Sequence, residues 1–317
     1  MTGPASQNAN CGVRALASVG MGRRYDTVSF LTDYGTVDEF VGVVKSVIRD
    51  IAAHVTVIDL THEVPPFDIR AGSLTLARSI SYVPSGVVLA VVDPAVGTDR
   101  RCVAIEVADG EGVLVGPDNG LLAPAVAMAG GAGRCVVLTN TEYHLEAPRG
   151  TFAGRDIFGP VAAHLCNGVD LYDLGDPIDA DLLLPGVIPL PREENGVLVA
   201  EVLWVDRFGN CQLNVGPDEV EGYGDMLRIT VGETTGGGVT RVARRSDSFF
   251  ALGTGALGLV TDSYGMLALA LDRRSAAEEL QIAAHDQVVL ERVGDENGAA
   301  GRGSSPVSSP VNLRITR

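Results

Sequence analysis

Lysine is nearly missing from this sequence: Lys45 is the only one, and every other cationic side chain is an arginine. With 24 Lys+Arg against 40 Asp+Glu, the formal charge is −16. That balance lacks the basic face that phosphate recognition needs, so nucleic acid is not an expected partner. No apolar run is long enough to span a bilayer, and residues 1–24 hold no apolar segment of the kind a secretory leader needs. Neither a membrane partner nor export is expected. The five cysteines (Cys11, Cys102, Cys135, Cys166 and Cys211) are odd in number and scattered, with no C-x-x-C pair. This argues for a reduced, cytoplasmic chain with neither a disulfide framework nor a metal site.

Familiar catalytic signatures are missing too. The chain has no P-loop, no G-x-S-x-G elbow and no H-E-x-x-H. "GTGALG" (253–258) matches a dinucleotide-binding pattern, but it leads into a strand instead of opening a helix, so it reads as turn glycines. His62 follows a strand and could line a site, though a loop or capping role is favoured; His144 and His164 read as structural, and the single Trp204 as core.

What is present is a two-part hydropathy pattern. From Thr27 to about Leu165, short β-branched runs alternate with helical periodicity. "TVSFLTD" reads as a strand, 38–53 as a helix with Asp38 at its N-cap, "VTVIDL" as a strand, 70–83 as a helix, and "GVVLAVVD" as a fully apolar strand. "CVAIEV", "GVLVG" and "RCVVLT" continue the strands, with helices near 121–129 and 156–167. Apolar strands separated by helices predict an α/β layered domain with a mainly parallel sheet over 26–168. A linker rich in Pro, Asp and Gly follows over 169–195. Seven strand-like segments with turn residues between them then predict an all-β, barrel-like domain over 196–293. Residues 1–25 and 294–317 read as a polar arm and tail.

Acids end strand after strand: Asp33, Asp59, Asp93, Asp118 and Asp206. In open α/β sheets, ligands bind beyond the carboxyl ends of the strands. Asp33, Asp93 and Asp118 are therefore expected at one sheet edge, facing a ligand with hydroxyls or positive charge. A single Asp in such a place often only caps the next turn; several together point to a polar ligand.

Four stretches in order, "FLTDYGTVDEF" (30–40), "VVDPAVGTDRR" (91–101), "TFAGRDIF" (151–158) and "VDRFGN" (205–210), resemble the S-adenosyl-L-methionine (SAM) hydroxide adenosyltransferases. These are SAM hydrolases related to the fluorinating and chlorinating SAM enzymes, and the resemblance runs from about Val28 to about Val293. It implies an α/β domain joined to a barrel-like domain, and a homotrimer with sites between subunits. The implied reaction is attack of water or hydroxide on the ribose 5′-carbon of SAM, giving adenosine and L-methionine, with SAM as substrate and no cofactor.

Carried over residue by residue, the resemblance implies that Asp33 accepts from the ribose hydroxyls, while Asp38 and Asp206 lie near the methionine ammonium. Phe67 and Phe208 would face ribose and adenine, Phe152 would also bind substrate, Asn210 would bind the adenine edge, and Ser263 with Tyr264 would contact the methionine end. Asp93 and Arg100 match two members of the family's Asp–Arg–His set, with Arg100 favoured over the adjacent Arg101 on spacing. The third member departs. The family pattern reads Phe-His-Gly-Arg-Asp, and here it is Phe152-Ala153-Gly154-Arg155-Asp156. The remaining histidines, His54, His62, His144, His164 and His285, are not near 153 in sequence. Loss of a general acid–base group costs about 10²–10⁴ in rate, so SAM binding with slow turnover is expected. Two alternatives stand beside this reading. One is a SAM-dependent halogenase, disfavoured by Asp93, Arg100 and the short "ADGEG" turn. The other is a non-catalytic SAM or adenosine binding protein, favoured by Ala153.

Overall fold

The computed structural model describes residues 24–232 and 238–293. The expected N-terminal arm, apart from its last two residues, and the expected tail lie outside them. The chain divides into two units, with the boundary between Ile188 and Pro189.

The first unit is built on a seven-stranded sheet. Its strands are β1 (Thr27–Thr32), β2 (Thr56–Thr61), β3 (Gly86–Val91), β4 (Cys102–Val107), β5 (Gly112–Pro117), β6 (Ala132–Val137) and β7 (Asp176–Pro177), in the order β2-β1-β3-β5-β4-β6-β7. The first four in that order run parallel, and β4, β6 and β7 close the far side antiparallel. β3 is buried along its whole length, as its unbroken apolar sequence requires. The helices are α1 (Phe40–Ile51), α2 (Ile69–Ile80), α3 (Ala123–Met128) and α4 (Gly159–Cys166). α1 and α4 bury Val44, Ile48, Val161 and Leu165 against one face of the sheet, while α2 and α3 bury Leu76, Ile80 and Ala125 against the other. The turn between β4 and β5 occupies only 108–111.

Two expectations need correction here. α1 begins at Phe40, and its N-cap position is held by Glu39 with no side-chain cap; Asp38 is an exposed loop residue. Part of the expected linker is sheet: β7 pairs with β6, and residues up to 188 belong to the first unit. Pro177 sits on the outermost strand, where its missing N–H breaks no ladder.

The second unit contains β8 (Arg192–Glu194), β9 (Val197–Val205), β10 (Cys211–Leu213), β11 (Met226–Val231), β12 (Val239–Ser246), β13 (Leu257–Thr261), β14 (Leu267–Leu271) and β15 (Gln287–Arg292), with one short helix, α5 (Ala276–Leu280). The order β10-β14-β13-β12-β11-β15-β9, with a further β10–β9 pairing, closes a seven-stranded barrel, and β8 adds to β9. Closure depends on β9, whose nine residues pair with β15 through Leu198–Glu201 and with β10 through Val202–Val205. Alternate residues Leu198, Ala200 and Val202 point into the barrel core with Leu227, Ile229, Leu269 and Leu290. Trp204, expected in the core, is instead 37 % exposed. "GTGALG" is a turn with Gly253 and Gly255 at positive φ, running into β13.

Candidate functional site

β1 and β3 are adjacent and parallel, so the residues that follow them emerge at the same sheet edge. Asp33 and Asp93 leave that edge into one cleft of about 530 Å³, within the roughly 300–1,000 Å³ typical of small-molecule sites. Its walls also include Tyr34, Phe40, Phe67, Phe152, Ala153 and Arg155. A larger hollow of about 700 Å³ lies in the second unit beside Arg192, Glu194 and Asp286, and carries none of the motif residues.

The turn after β1 is fixed from beneath. Thr32 Oγ1 accepts the Tyr34 N–H at 3.2 Å and shares a 2.9 Å hydrogen bond with His62 Nδ1, while His62 Nε2 lies 3.1 Å from Asp59 Oδ1. Lys45 Nζ donates to Asp59 Oδ2 at 2.6 Å. Although burial opposes it, hydrogen bonds from Lys45 and His62 hold the Asp59 carboxyl below the usual carboxylate range. His62 is thus a buried support for the turn and does not line the cleft.

Asp33 Oδ2 accepts the Phe67 N–H at 2.9 Å. Phe67 has φ +67°, a conformation rare outside glycine, and its ring is 71 % exposed beside the cleft. Asp68 then caps α2 by accepting the Ala71 N–H at 2.8 Å, so Asp33 and Asp68 together shape the Pro65–Asp68 turn. Asp33 keeps Oδ1 without a protein hydrogen-bond partner among the described residues, and a carboxylate oxygen can accept.

Asp93 and Arg100 form a buried pair. Arg100 Nε donates to both carboxylate oxygens at 2.9 Å, Nη2 donates to Oδ2, and the two side chains are only 5 % and 11 % exposed. Burial pulls the guanidinium down, but its hydrogen bonds to Asp93 prevail and hold it above the ordinary arginine range. The Arg100 Cζ also lies 5.4 Å over the Phe158 ring, and Nη1 reaches Cys102 Sγ. Arg101 faces away: it pairs with Asp118 and donates to Leu182 O. Asp118, expected beside Asp33 and Asp93, also accepts the Leu184 N–H at 2.8 Å; it ties down the segment before the unit boundary and is absent from the cleft wall.

Ala153 is 5 % exposed and sits where a helix starts. That helix opens with a π turn, Gly154–Phe158, closed by Gly159 N–H to Gly154 O. The cause is legible. Pro160 has no N–H to offer Asp156 O, which accepts instead from Leu145 N at 2.8 Å. Arg155 Nε and Nη2 grip the buried Asp156 at 2.5 and 3.1 Å, and Arg155 Cζ lies 5.2 Å over Phe152. Phe152, Tyr34 and Phe40 form a ring cluster with centroids 5.2–5.9 Å apart. Tyr34 and Phe40 are cleft residues the sequence reading did not single out, although both lie inside its first motif.

The remaining predicted residues belong to the second unit, except the exposed Asp38, which has no side-chain partner among the described residues. Asp206 builds its own hairpin loop: Oδ1 accepts the Phe208 and Asn210 N–H groups at 2.8 and 2.9 Å, and Oδ2 accepts Asn210 Nδ2 at 2.8 Å. This leaves Phe208 78 % exposed at the tip. Gly209 has φ +80° and rests so closely on Ser275 that no side chain fits. The loop carrying Ser263 and Tyr264 repeats the device, with Asp262 Oδ1 accepting Tyr264 N at 2.8 Å and Met266 N at 3.1 Å, and Gly265 at positive φ. By the antiparallel pairing of Cys211 with Leu269, the Asp206 loop enters β10 at one end, and the Ser263–Tyr264 loop, which enters β14, lies beside the other end of β10. No group of three or more His, Cys, Asp or Glu with metal-site geometry occurs among the described residues.

Two family descriptions match the chain: the SAM hydroxide adenosyltransferase N-terminal domain over residues 28–175, and its C-terminal domain over 200–289. An "(R)-S-adenosyl-L-methionine hydrolase" of Salinispora tropica is 41% identical over 261 residues, covering 82% of this chain and 96% of the relative. One of the same name from Thermus thermophilus is 37% identical, covering 80% and 94%. A "Fluorinase" of Actinoplanes is 27% identical, over 64% and 77%. A crystal structure of an uncharacterized conserved protein from Thermotoga maritima superposes with TM-score 0.75 at 34% identity, covering 84% of this chain and all of that one.

Proposed function

The chain belongs to the SAM hydroxide adenosyltransferase family, and on that premise we propose that it hydrolyses SAM to adenosine and L-methionine, slowly, because Ala153 supplies no acid–base group. The observation that carries this reading is the convergence of Asp33, Asp93 and Ala153 on the wall of one cleft at the parallel sheet edge, with Arg100 held to Asp93 behind that wall. A free Asp33 oxygen suits a ribose diol, and the exposed Phe67 ring suits the flat nucleoside. The sulfonium leaves without protonation, so the site has only to exclude bulk water, align the attacking oxygen with C5′ and stabilise its developing charge. The Asp93–Arg100 pair is suited to that electrostatic task. We assign SAM as substrate and no cofactor.

Water is favoured over halide, since Asp93 and Arg100 form the pair expected of the hydrolases and the β4–β5 turn is short. We further infer a homotrimer, each site joining one subunit's α/β cleft to a neighbour's barrel loops. The exposure of Phe67 in the first unit and Phe208 in the second supports this reading. The four described cysteines are free and buried, in keeping with a reduced, cytoplasmic enzyme. A second reading, a SAM-binding protein without turnover, draws on the Ala153 methyl itself.

Hydrolysis in water enriched in ¹⁸O tests the reaction. The label is expected in the adenosine 5′-hydroxyl, with none in methionine. Binding of SAM by calorimetry with no adenosine formed would favour the second reading.

A further inference from the structure

The cleft contains one polar group that the reading above leaves idle. Tyr34 lies beside the gap at position 153: a Cβ placed on Gly154 would fall 2.3 Å from Tyr34 Oη and 3.2 Å from its Cζ. The hydroxyl therefore rests on the backbone immediately after Ala153. Its position is imposed from both sides, by the Tyr34 N–H on Thr32 Oγ1 and by the ring's contacts with Phe40, tilted, and Phe152, edge-on.

The other cleft polar groups are already engaged. Asp93 is taken up by Arg100, Arg155 by Asp156, and one Asp33 oxygen by Phe67 N–H. Thr151 is exposed at the rim. Tyr34 Oη has no hydrogen-bond partner among the described residues. An uncharged group that both donates and accepts, held rigidly at the wall where an acid–base side chain is missing, is what an attacking water needs for orientation.

We propose that the Tyr34 hydroxyl holds the attacking water in this chain, standing in for the side chain that position 153 lacks. The inference rests on the hydrolase reading above. Burial, with the Asp33 and Asp93 carboxylates nearby, keeps the phenol above the ordinary tyrosine range, so it stays protonated. It works as an orienting hydrogen-bond partner and not as a base. The water oxygen forms the bond to C5′ as the C5′–S bond breaks, and sulfur keeps the electron pair as the methionine thioether. The protonated oxygen first formed on C5′ then loses a proton to solvent and becomes the neutral 5′-hydroxyl, so the proton carries off the positive charge of the sulfonium.

The test compares adenosine formation from SAM by the full chain, Tyr34→Phe, Ala153→His and the double variant, with melting temperatures to show that each is folded. Tyr34→Phe keeps the ring packing. It is expected to lower kcat about 10-fold, the loss of one transition-state hydrogen bond, with KM within about twofold. In the Ala153→His chain the same substitution is expected to cost distinctly less. Equal rates for the unaltered chain and Tyr34→Phe would overturn the role of Tyr34 while leaving the hydrolase reading intact. An equal loss in both backgrounds would overturn the substitution for position 153. SAM binding without any adenosine from the unaltered chain would overturn both readings together.

Discussion

Ala153 presents a single methyl to the cleft wall. Phe152, Gly154, Arg155 and Asp156 all keep defined contacts around it. The Asp93–Arg100 pair is also intact, and its energetics follow from burial. Removing one charge from a buried, doubly bonded pair leaves the other uncompensated, at about 3–5 kcal/mol. Asp93→Asn is therefore expected to lower stability by about that much in urea titration, and to abolish residual turnover. A loss below about 1 kcal/mol would show that Arg100 finds another partner or water. The meeting of Asp33, Asp93 and Ala153 at one cleft was legible in sequence, because each sits in a contiguous motif, the first two just after strands and Ala153 at a helix start. His62, Arg101 and Asp118 were ambiguous for the opposite reason. Their roles depend on Thr32, Asp59 and Leu182–Leu184, which contact them only through the fold.

At the scale of elements, the π turn decides the geometry of the site. It places Gly154 beneath Tyr34 and directs Arg155 along the cleft wall. Gly154→Ala drives a methyl into the phenol, so it is expected to displace Tyr34 and cost about 1–3 kcal/mol. A thermal melt would show this, and an unchanged melt would mean the ring yields freely. Strand and helix positions followed from period and apolar runs, as with the fully buried β3. The π turn did not, because it needs the tertiary bond from Leu145 N to Asp156 O as well as Pro160. β7 and β8 were unreadable for a similar reason: two- and three-residue edge strands carry no periodicity, and only their pairing with β6 and β9 defines them.

At the scale of the molecule, the −16 charge and the two-unit build set the solution behaviour. His144 and His164 are pushed below the ordinary histidine range by burial. Such groups take up protons more readily when unfolded, so their contribution is present above the unfolded pKa of about 6.5 and is lost as pH falls below it. The melting temperature is therefore expected to fall between pH 7.5 and 5.5. A flat profile would place the two rings in contact with water. Light scattering after gel filtration is expected to give about three times the 33.0 kDa chain mass, and a monomer would contradict the shared-site arrangement. The role of position 153 is decided by the rate of adenosine and methionine formation from SAM by the unaltered chain and by Ala153→His. Slow, equimolar products are expected from the first and a rate about 10²–10⁴ higher from the second. Equal rates, or SAM bound and unbroken by both, would contradict that role.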